Sequence, residues 1–315
     1  MYQAPFLLRN GHINTIYTYL FRQVSGVHYE RTRIDTPDQD FLDLDFSNVG
    51  ADKIVLITHG LEGDSQSAYM RGMVKAVNAQ GWDAVAMNQR GCSGEPNRLY
   101  SSYHSGKTDD IQLVVEYLLE EKYKQIYLVG YSLGGNIMLK YAGEQGRSIP
   151  SQIIGVAGIS VPCDLAGSAQ ELRSGGINYL YLNRLLKQLK SKAIAKKARF
   201  SEAAYSNADI RACRNFEAFD DLYTAPAHGY KDAADYYSKC SSAQFIPSIR
   251  IPAYIINALD DPFLSISCYP VEESAINRHW VVCETPRHGG HVGFAGNKER
   301  YYESQIRERL RTNSD

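Results

Sequence analysis

The sequence lacks what several protein classes require. Its six cysteines (Cys92, Cys163, Cys213, Cys240, Cys268, Cys283) form no CxxC pair and follow no regular spacing. That argues against a disulfide-stapled scaffold and a zinc knuckle, and it suits a reducing cytoplasm. There is no excess of positive charge: 34 Lys+Arg stand against 35 Asp+Glu, so no basic surface marks the chain as a nucleic-acid binder. No run approaches the roughly 18–20 consecutive apolar residues of a membrane span. Residues 1–20 are broken by Arg9, Asn10, His12 and Asn14 and lack the basic, apolar, small-residue order of a secretory signal. Repeats and low-complexity tracts are also missing. The expectation is a soluble cytoplasmic protein, with peripheral membrane contact left open.

What is present points to a substantial core. A chain of 315 residues with 44% hydrophobic residues can bury roughly three quarters of its unfolded surface. From about residue 42, short apolar runs alternate with amphipathic stretches. Strands are expected near 54–58, 82–87, 126–129, 153–160, 253–259 and 280–283. Helices are expected near 67–79, from 108 with Thr108 as N-cap, over 136–144 and over 297–310. The strand runs are nearly continuously apolar, as doubly buried strands should be, so the fold class is α/β with a mostly parallel sheet covered on both faces. Between Val161 and Ala253 the patterning is helical with no convincing strand. Because it begins and ends inside the sheet's connectivity, this stretch, about 163–250, reads as a helical cap inserted in a single domain spanning 1–315.

The chemistry starts at Gly130-Tyr131-Ser132-Leu133-Gly134, a G-x-S-x-G motif between an expected strand and an expected helix. A sharp turn there exposes the serine oxygen over the positive end of the following helix, with flanking glycines removing Cβ atoms that would collide. A serine hydroxyl needs a base and an orienting acid. In this architecture they follow the nucleophile in chain order, so His12, His28, His59 and His104 are set aside as the base. His288 and His291 follow the last strand, and the two glycines before His291 would let it fold over the sheet edge toward Ser132, which favours His291. The acid comes from Asp260 or Asp261, both after the strand at 253. One would face the histidine and the other would cap the following turn. Oxyanion donors are expected from the backbone N–H of Leu133 and, in the loop after strand 54–58, of Leu61, with Gly60 allowing close approach. His59 is expected to be a structural hydrogen-bonder. Arg90, Tyr103 and His104 either line the pocket or, for Arg90, pair with a carboxylate.

These motifs resemble the YheT-like branch of the α/β-hydrolase superfamily. The resemblance rests on Asn10-Gly11-His12, on residues 59–63, 88–97 and 102–106, on 130–136, Phe219-Asp220-Asp221, Thr224-Ala225-Pro226, and on 257–263 and 288–294. It implies Ser132 as nucleophile, Asp261 as acid and His291 as base, on an α/β-hydrolase sheet with a helical cap. It also implies hydrolysis of carboxylic esters, from small esters to acylglycerols and phospholipids, through an acyl-enzyme and without metal or organic cofactor. Acyl transfer on the same triad, or a non-catalytic binding module, are the alternatives. Eight basic residues between 171 and 200 (Arg173, Arg184, Lys187, Lys190, Lys192, Lys196, Lys197, Arg199) face one acid, Glu171. With Leu182, Leu185, Leu186 and Leu189 at helical spacing, they predict a basic amphipathic cap helix. Such a helix either packs its leucines on the sheet and solvates its lysines, or approaches anionic lipid.

Overall fold

The computed structural model describes residues 2–121, 123–201, 203–296 and 299–312. Eight strands form one sheet: β1 (Glu30–Asp35), β2 (Phe41–Ser47), β3 (Lys53–Thr58), β4 (Asp83–Asn88), β5 (Gln125–Tyr131), β6 (Ile153–Ile159), β7 (Ala253–Ile256) and β8 (Val281–Glu284). Their spatial order is β1-β2-β4-β3-β5-β6-β7-β8. All neighbouring pairs from β4 to β8 are parallel, while β2 runs antiparallel to both β1 and β4.

Strand residues divide by parity between two cores. Ile54 and Leu56 of β3, with Ile126 and Leu128 of β5, face a cluster completed by Ile111, Val114 and Leu118 of the helix Thr108–Glu120 and by Ile137, Met138 and Tyr141 of the helix Leu133–Gln145. Val55, Ile57, Tyr127 and Val129 point the other way, onto Met70, Met73 and Val77 of the helix Ala68–Asn78 and Ile306 and Leu310 of the helix Tyr301–Thr312. Both strand faces are dry, which is why these strands read as continuous apolar runs.

The six parallel strands match the sequence expectation to within a few residues. The edge pair β1–β2 escaped it. β1 is Glu-Arg-Thr-Arg-Ile-Asp, and β2 interrupts its apolar residues with Asp43 and Asp45. The register explains both: Arg31 stands opposite Asp45 and Arg33 opposite Asp43, and each arginine holds its aspartate through two hydrogen bonds of 2.7–2.9 Å. Opposite charges facing one another across strands contribute on the order of 0.2–1 kcal/mol per pair. Thr108 is not an N-cap. Lys107 holds that position, and the Thr108 hydroxyl instead donates to Glu144 at 2.7 Å. The last helix begins at Tyr301; positions 297 and 298 of the expected helix lie outside the described residues.

Between β6 and β7 no strand occurs among the described residues. Helices run from Leu165 to the 3-10 turn ending at Ser248, the longest being Asn178–Arg199. This long helix corrects the expectation for its surface. Leu182 and Leu186 pack with Leu172, Ile210, Phe219 and Tyr223 of the insertion's own core and not on the sheet. Several of its lysines turn inward. Lys192 Nζ pairs with Glu62 at 2.9 Å, and Lys196 Nζ donates to the carbonyls of Leu99 and Ser101 at 2.7 Å each.

An eleven-residue helix, Gly11–Phe21, precedes the sheet and was not anticipated. Asn10 caps it, its Oδ1 accepting from Ile13 N–H at 3.1 Å.

Candidate active site

Ser132 sits between β5 and the helix Leu133–Gln145 with φ +50° and ψ −120°, a conformation that costs a non-glycine residue on the order of 1–3 kcal/mol. Two glycines permit it. A Cβ on Gly130 would lie 2.3 Å from the Gly134 carbonyl oxygen, and one on Gly134 would lie 2.5 Å from that of His59. The turn is fixed further by Ser132 N–H, which donates to Ile159 O of β6 at 2.8 Å.

The Ser132 Oγ lies 2.9 Å from His291 Nε2, and His291 Nδ1 lies 2.9 and 3.0 Å from the two carboxylate oxygens of Asp261. A carboxylate only accepts, so Nδ1 carries the ring proton and Nε2 is left as the acceptor for the serine hydroxyl. The Asp261 side chain is fully buried and that of His291 is 10% exposed. The Phe263 ring stacks on the imidazole, 4.0 Å between centroids and 7° from parallel.

The two aspartates and two histidines sort into separate pairs. Asp260 does not cap the following turn, as the sequence suggested for the aspartate not facing the base. Its carboxylate lies 3.1 Å from His288 Nδ1 and accepts Gly290 N–H at 2.9 Å. The turn contact belongs to Asp261, whose Oδ1 accepts Phe263 N–H at 2.9 Å. His288 therefore bonds a side chain and not the backbone, and Asp260 braces the loop that carries His291.

Two further ties hold that loop. Thr15 Oγ1, on the N-terminal helix, accepts His291 N–H at 2.8 Å, and Ser160 Oγ accepts Val292 N–H at 2.9 Å. Neither residue was singled out in the sequence. Asn10 before a 3.6-residue apolar period was the signal for the first; the positive φ of Ser160 leaves no trace in residue type.

The loop after β3 passes beside the serine. A Cβ on Gly60 would lie 3.1 Å from Ser132 Cβ. Gly60 N–H donates to Tyr69 OH at 3.2 Å and Glu62 N–H to Tyr103 OH at 2.8 Å. Among the described residues no acceptor takes Leu61 N–H between them, nor Leu133 N–H at the first turn of its helix. The Glu62 carboxylate accepts from Tyr103 OH and pairs with Lys192, so the long cap helix is wired to this loop.

Of the other candidates, His59 takes a structural place, while Arg90, Tyr103 and His104 all line the cavity that holds Ser132, Arg90 also pairing with carboxylates. His59 is fully buried; its Nδ1 donates to Gly60 O at 2.7 Å, Nε2 accepts Gln89 N–H at 3.1 Å, and burial pushes its pKa down to about 4. Arg90 makes a buried two-bond pair with Asp110 and a 2.7 Å contact with Asp38. His104 faces His228 with ring centroids 4.4 Å apart, and burial, then the neighbouring histidine, holds its pKa well below the ordinary imidazole range.

Ser132 and His291 open into a cavity of about 1120 Å³ beneath the helical insertion. Its wall mixes leucines (Leu61, Leu165, Leu172, Leu189) with polar groups, among them Asp220, whose carboxylate accepts from Thr224 Oγ1 and Tyr237 OH at 2.6 Å each. Among the described residues no cluster of His, Cys, Asp and Glu could hold a metal ion, and no helix is long and apolar enough to cross a membrane.

A doubly covered, mostly parallel sheet with a strained serine after its central strand defines the class: a hydrolase of the α/β type. The chain belongs to the alpha/beta hydrolase fold family, whose model matches residues 53–297. It is 37% identical to the YheT protein of Escherichia coli over 96% of this chain and 91% of that one. It is also 30% identical to the monoacylglycerol lipase of Saccharomyces cerevisiae, over 82% of this chain and 58% of that one. A solved esterase from Pyrococcus furiosus superposes with a TM-score of 0.61 at 17% identity, covering 92% of this chain and 96% of that one. Within the family the chain is of the esterase and lipase type.

Proposed function

We propose that this chain hydrolyses carboxylic esters with a long apolar part, of the acylglycerol kind, through an acyl-enzyme on Ser132. The observation that carries the reading is the hydrogen-bonded chain from Ser132 Oγ through His291 to Asp261, opening into a cavity of about 1120 Å³ whose wall sets leucines among polar and charged side chains. The yeast relative named monoacylglycerol lipase supports the substrate class.

The Ser132 hydroxyl attacks the ester carbonyl while His291 Nε2 takes its proton, and Asp261 stabilises the imidazolium that forms. The N–H groups of Leu61 and Leu133 receive the developing oxyanion; one such donor is worth roughly 3–4 kcal/mol of barrier. His291 then gives the proton to the departing alcohol. Water enters and its oxygen attacks the acyl carbonyl as His291 removes its proton. His291 then returns that proton to Ser132 Oγ as the acyl–serine bond breaks, and the acyl group leaves as a carboxylic acid. The acid ionises in solution and Ser132 is regenerated. Every step uses groups of the chain itself.

The test is a chain-length series of 4-nitrophenyl esters together with glycerol monooleate, run on the wild type and Ser132→Ala. The expected result is kcat/KM that rises with acyl length and falls at least about 10⁴-fold in the variant. Folded wild type that cleaves none of these esters, or Ser132→Ala that cleaves them undiminished, overturns the reading.

A further inference from the structure

The N-terminal helix Gly11–Phe21 is inside out. A surface helix ordinarily buries its apolar stripe and solvates its polar one. Here the side packed on the protein carries Gly11, Asn14, Thr15 and Thr18, of which Gly11, Asn14 and Thr18 are buried. Asn14 Oδ1 accepts Ala295 N–H, Asn14 Nδ2 donates to Leu8 O, and Thr15 holds His291 N–H. The opposite side exposes Ile13, Ile16, Tyr17, Leu20 and Phe21, which are 38–67% accessible. Their spacing of i, i+3, i+4, i+7 and i+8 places them on one stripe. In the turn before the helix, Phe6 and Leu7 are 80% and 79% exposed.

Exposing five large apolar side chains along one stripe is unfavourable in water, and the neighbourhood says what should cover them. No Asp or Glu occurs in residues 1–29, nor in the long cap helix Asn178–Arg199. The two helices touch: His12 Nδ1 lies 3.3 Å from Tyr181 OH, and the Arg184 guanidinium stands over the Tyr19 ring at 4.3 Å. The cap helix adds exposed Leu180 beside its exposed cations Arg184 and Lys187, and Arg9 lies exposed ahead of the N-terminal helix. Aromatic and aliphatic side chains fringed by Arg and Lys, with no acid among them, match the surface of an anionic bilayer. Ile16, Tyr19, Leu20 and Arg184 are exposed and also line the cavity that holds Ser132, so this surface forms part of the cavity's rim, to which exposed Gly94, Glu95 and Pro96 also contribute. A protein seated here would stop the mouth; a bilayer would deliver an ester into it.

We infer that the exposed stripe of helix Gly11–Phe21 docks this protein on anionic lipid bilayers, with the cavity mouth against the lipid. The inference goes beyond the proposed reaction, and its readout needs no turnover.

Flotation is measured with vesicles of equal parts phosphatidylcholine and phosphatidylglycerol, and with phosphatidylcholine alone, for the wild type, Ser132→Ala and the double variant Tyr17→Ser with Phe21→Ser. Neither Tyr17 nor Phe21 lines the cavity. The expected result is that the wild type and Ser132→Ala float with the mixed vesicles and less with phosphatidylcholine alone. The double variant binds at least about tenfold more weakly, because two apolar anchors no longer reach the acyl region. Its thermal midpoint and its rate on a water-soluble acetate ester stay unchanged. Three results overturn the inference: wild type that remains in the aqueous layer, a double variant that floats undiminished, or a wild-type dimer that the double substitution converts to monomer, which would mean a second copy covers the stripe. Loss of ester cleavage with flotation intact would instead count against the reaction assigned to Ser132.

Discussion

Thr15 Oγ1 accepts the backbone N–H of His291 at 2.8 Å, so a helix residue 276 positions earlier in the chain holds the loop of the proposed base. Thr15 in turn donates to Gly11 O at 2.7 Å, which fixes the direction of its lone pairs. Thr15→Val keeps the side-chain shape and leaves the His291 N–H without its acceptor. The expected cost is about 1–3 kcal/mol of stability, with a fall in kcat larger than any change in KM. Denaturant unfolding and steady-state kinetics read the two effects. Unchanged kcat would mean the loop is held without this bond.

The neighbouring aspartates are expected to behave differently. Asp261→Asn removes the acceptor that sets the imidazole tautomer, and the loss in kcat should be on the order of 10⁴-fold. Asp260→Asn weakens only the brace through His288 and Gly290, so it should lower the thermal midpoint while kcat falls about tenfold or less. Parallel kinetics on the two variants decide the matter; equal losses would show that the carboxylates share one role.

Asp220 supplies a pH dependence of stability. Burial pushes its pKa up to about 6, with the hydroxyls of Thr224 and Tyr237 pulling the other way. An unfolded aspartate titrates near 3.9, so between about pH 4 and pH 6 the native state holds a proton that the unfolded chain has released. Stability from this group is therefore fully present below about pH 4, declines as pH rises through 6, and is level above. The side chain also borders the cavity, where water screens its charge, so we place the change at about 1–2 kcal/mol. Asp220→Asn should gain on the wild type by that amount between pH 4 and pH 7 in denaturant titrations. A difference that does not vary with pH would contradict the assignment.

Gly134→Ala tests the packing behind the serine turn. Its Cβ would fall 2.5 Å from His59 O and 2.6 Å from Thr58 O. Both are backbone atoms that cannot swing aside, so destabilisation of about 1–3 kcal/mol or more is expected. A thermal midpoint equal to that of the wild type would show that β3 can yield.

Much of this site is legible in the sequence because it is local. The strained serine needs Gly130 and Gly134 at fixed offsets, and continuous apolar runs such as Ile54-Val55-Leu56-Ile57 mark strands buried on both faces. What stayed hidden depends on partners far along the chain. β1 and β2 look too polar for strands until Arg31 and Arg33 are seen opposite Asp45 and Asp43. Position after β7 does not separate Asp260 from Asp261; the family resemblance favours Asp261, and the fold sends Asp261 to His291 and Asp260 to His288. The many tyrosines carry no visible pattern, yet Tyr69 and Tyr103 are the hydroxyls that take the N–H groups on either side of Leu61. The lysines of the cap helix suggest a solvated face, while Lys192 and Lys196 reach inward to Glu62 and to backbone carbonyls.

The most direct test of the account is intact-mass analysis after brief exposure to a fluorophosphonate probe, for the wild type, Ser132→Ala and His291→Ala. The account predicts rapid addition of a single probe per chain to the wild type, none to Ser132→Ala, and addition slowed at least about 10³-fold in His291→Ala, where the serine has lost its base. Labelling that persists in Ser132→Ala, or folded wild type that takes up no probe, would contradict it.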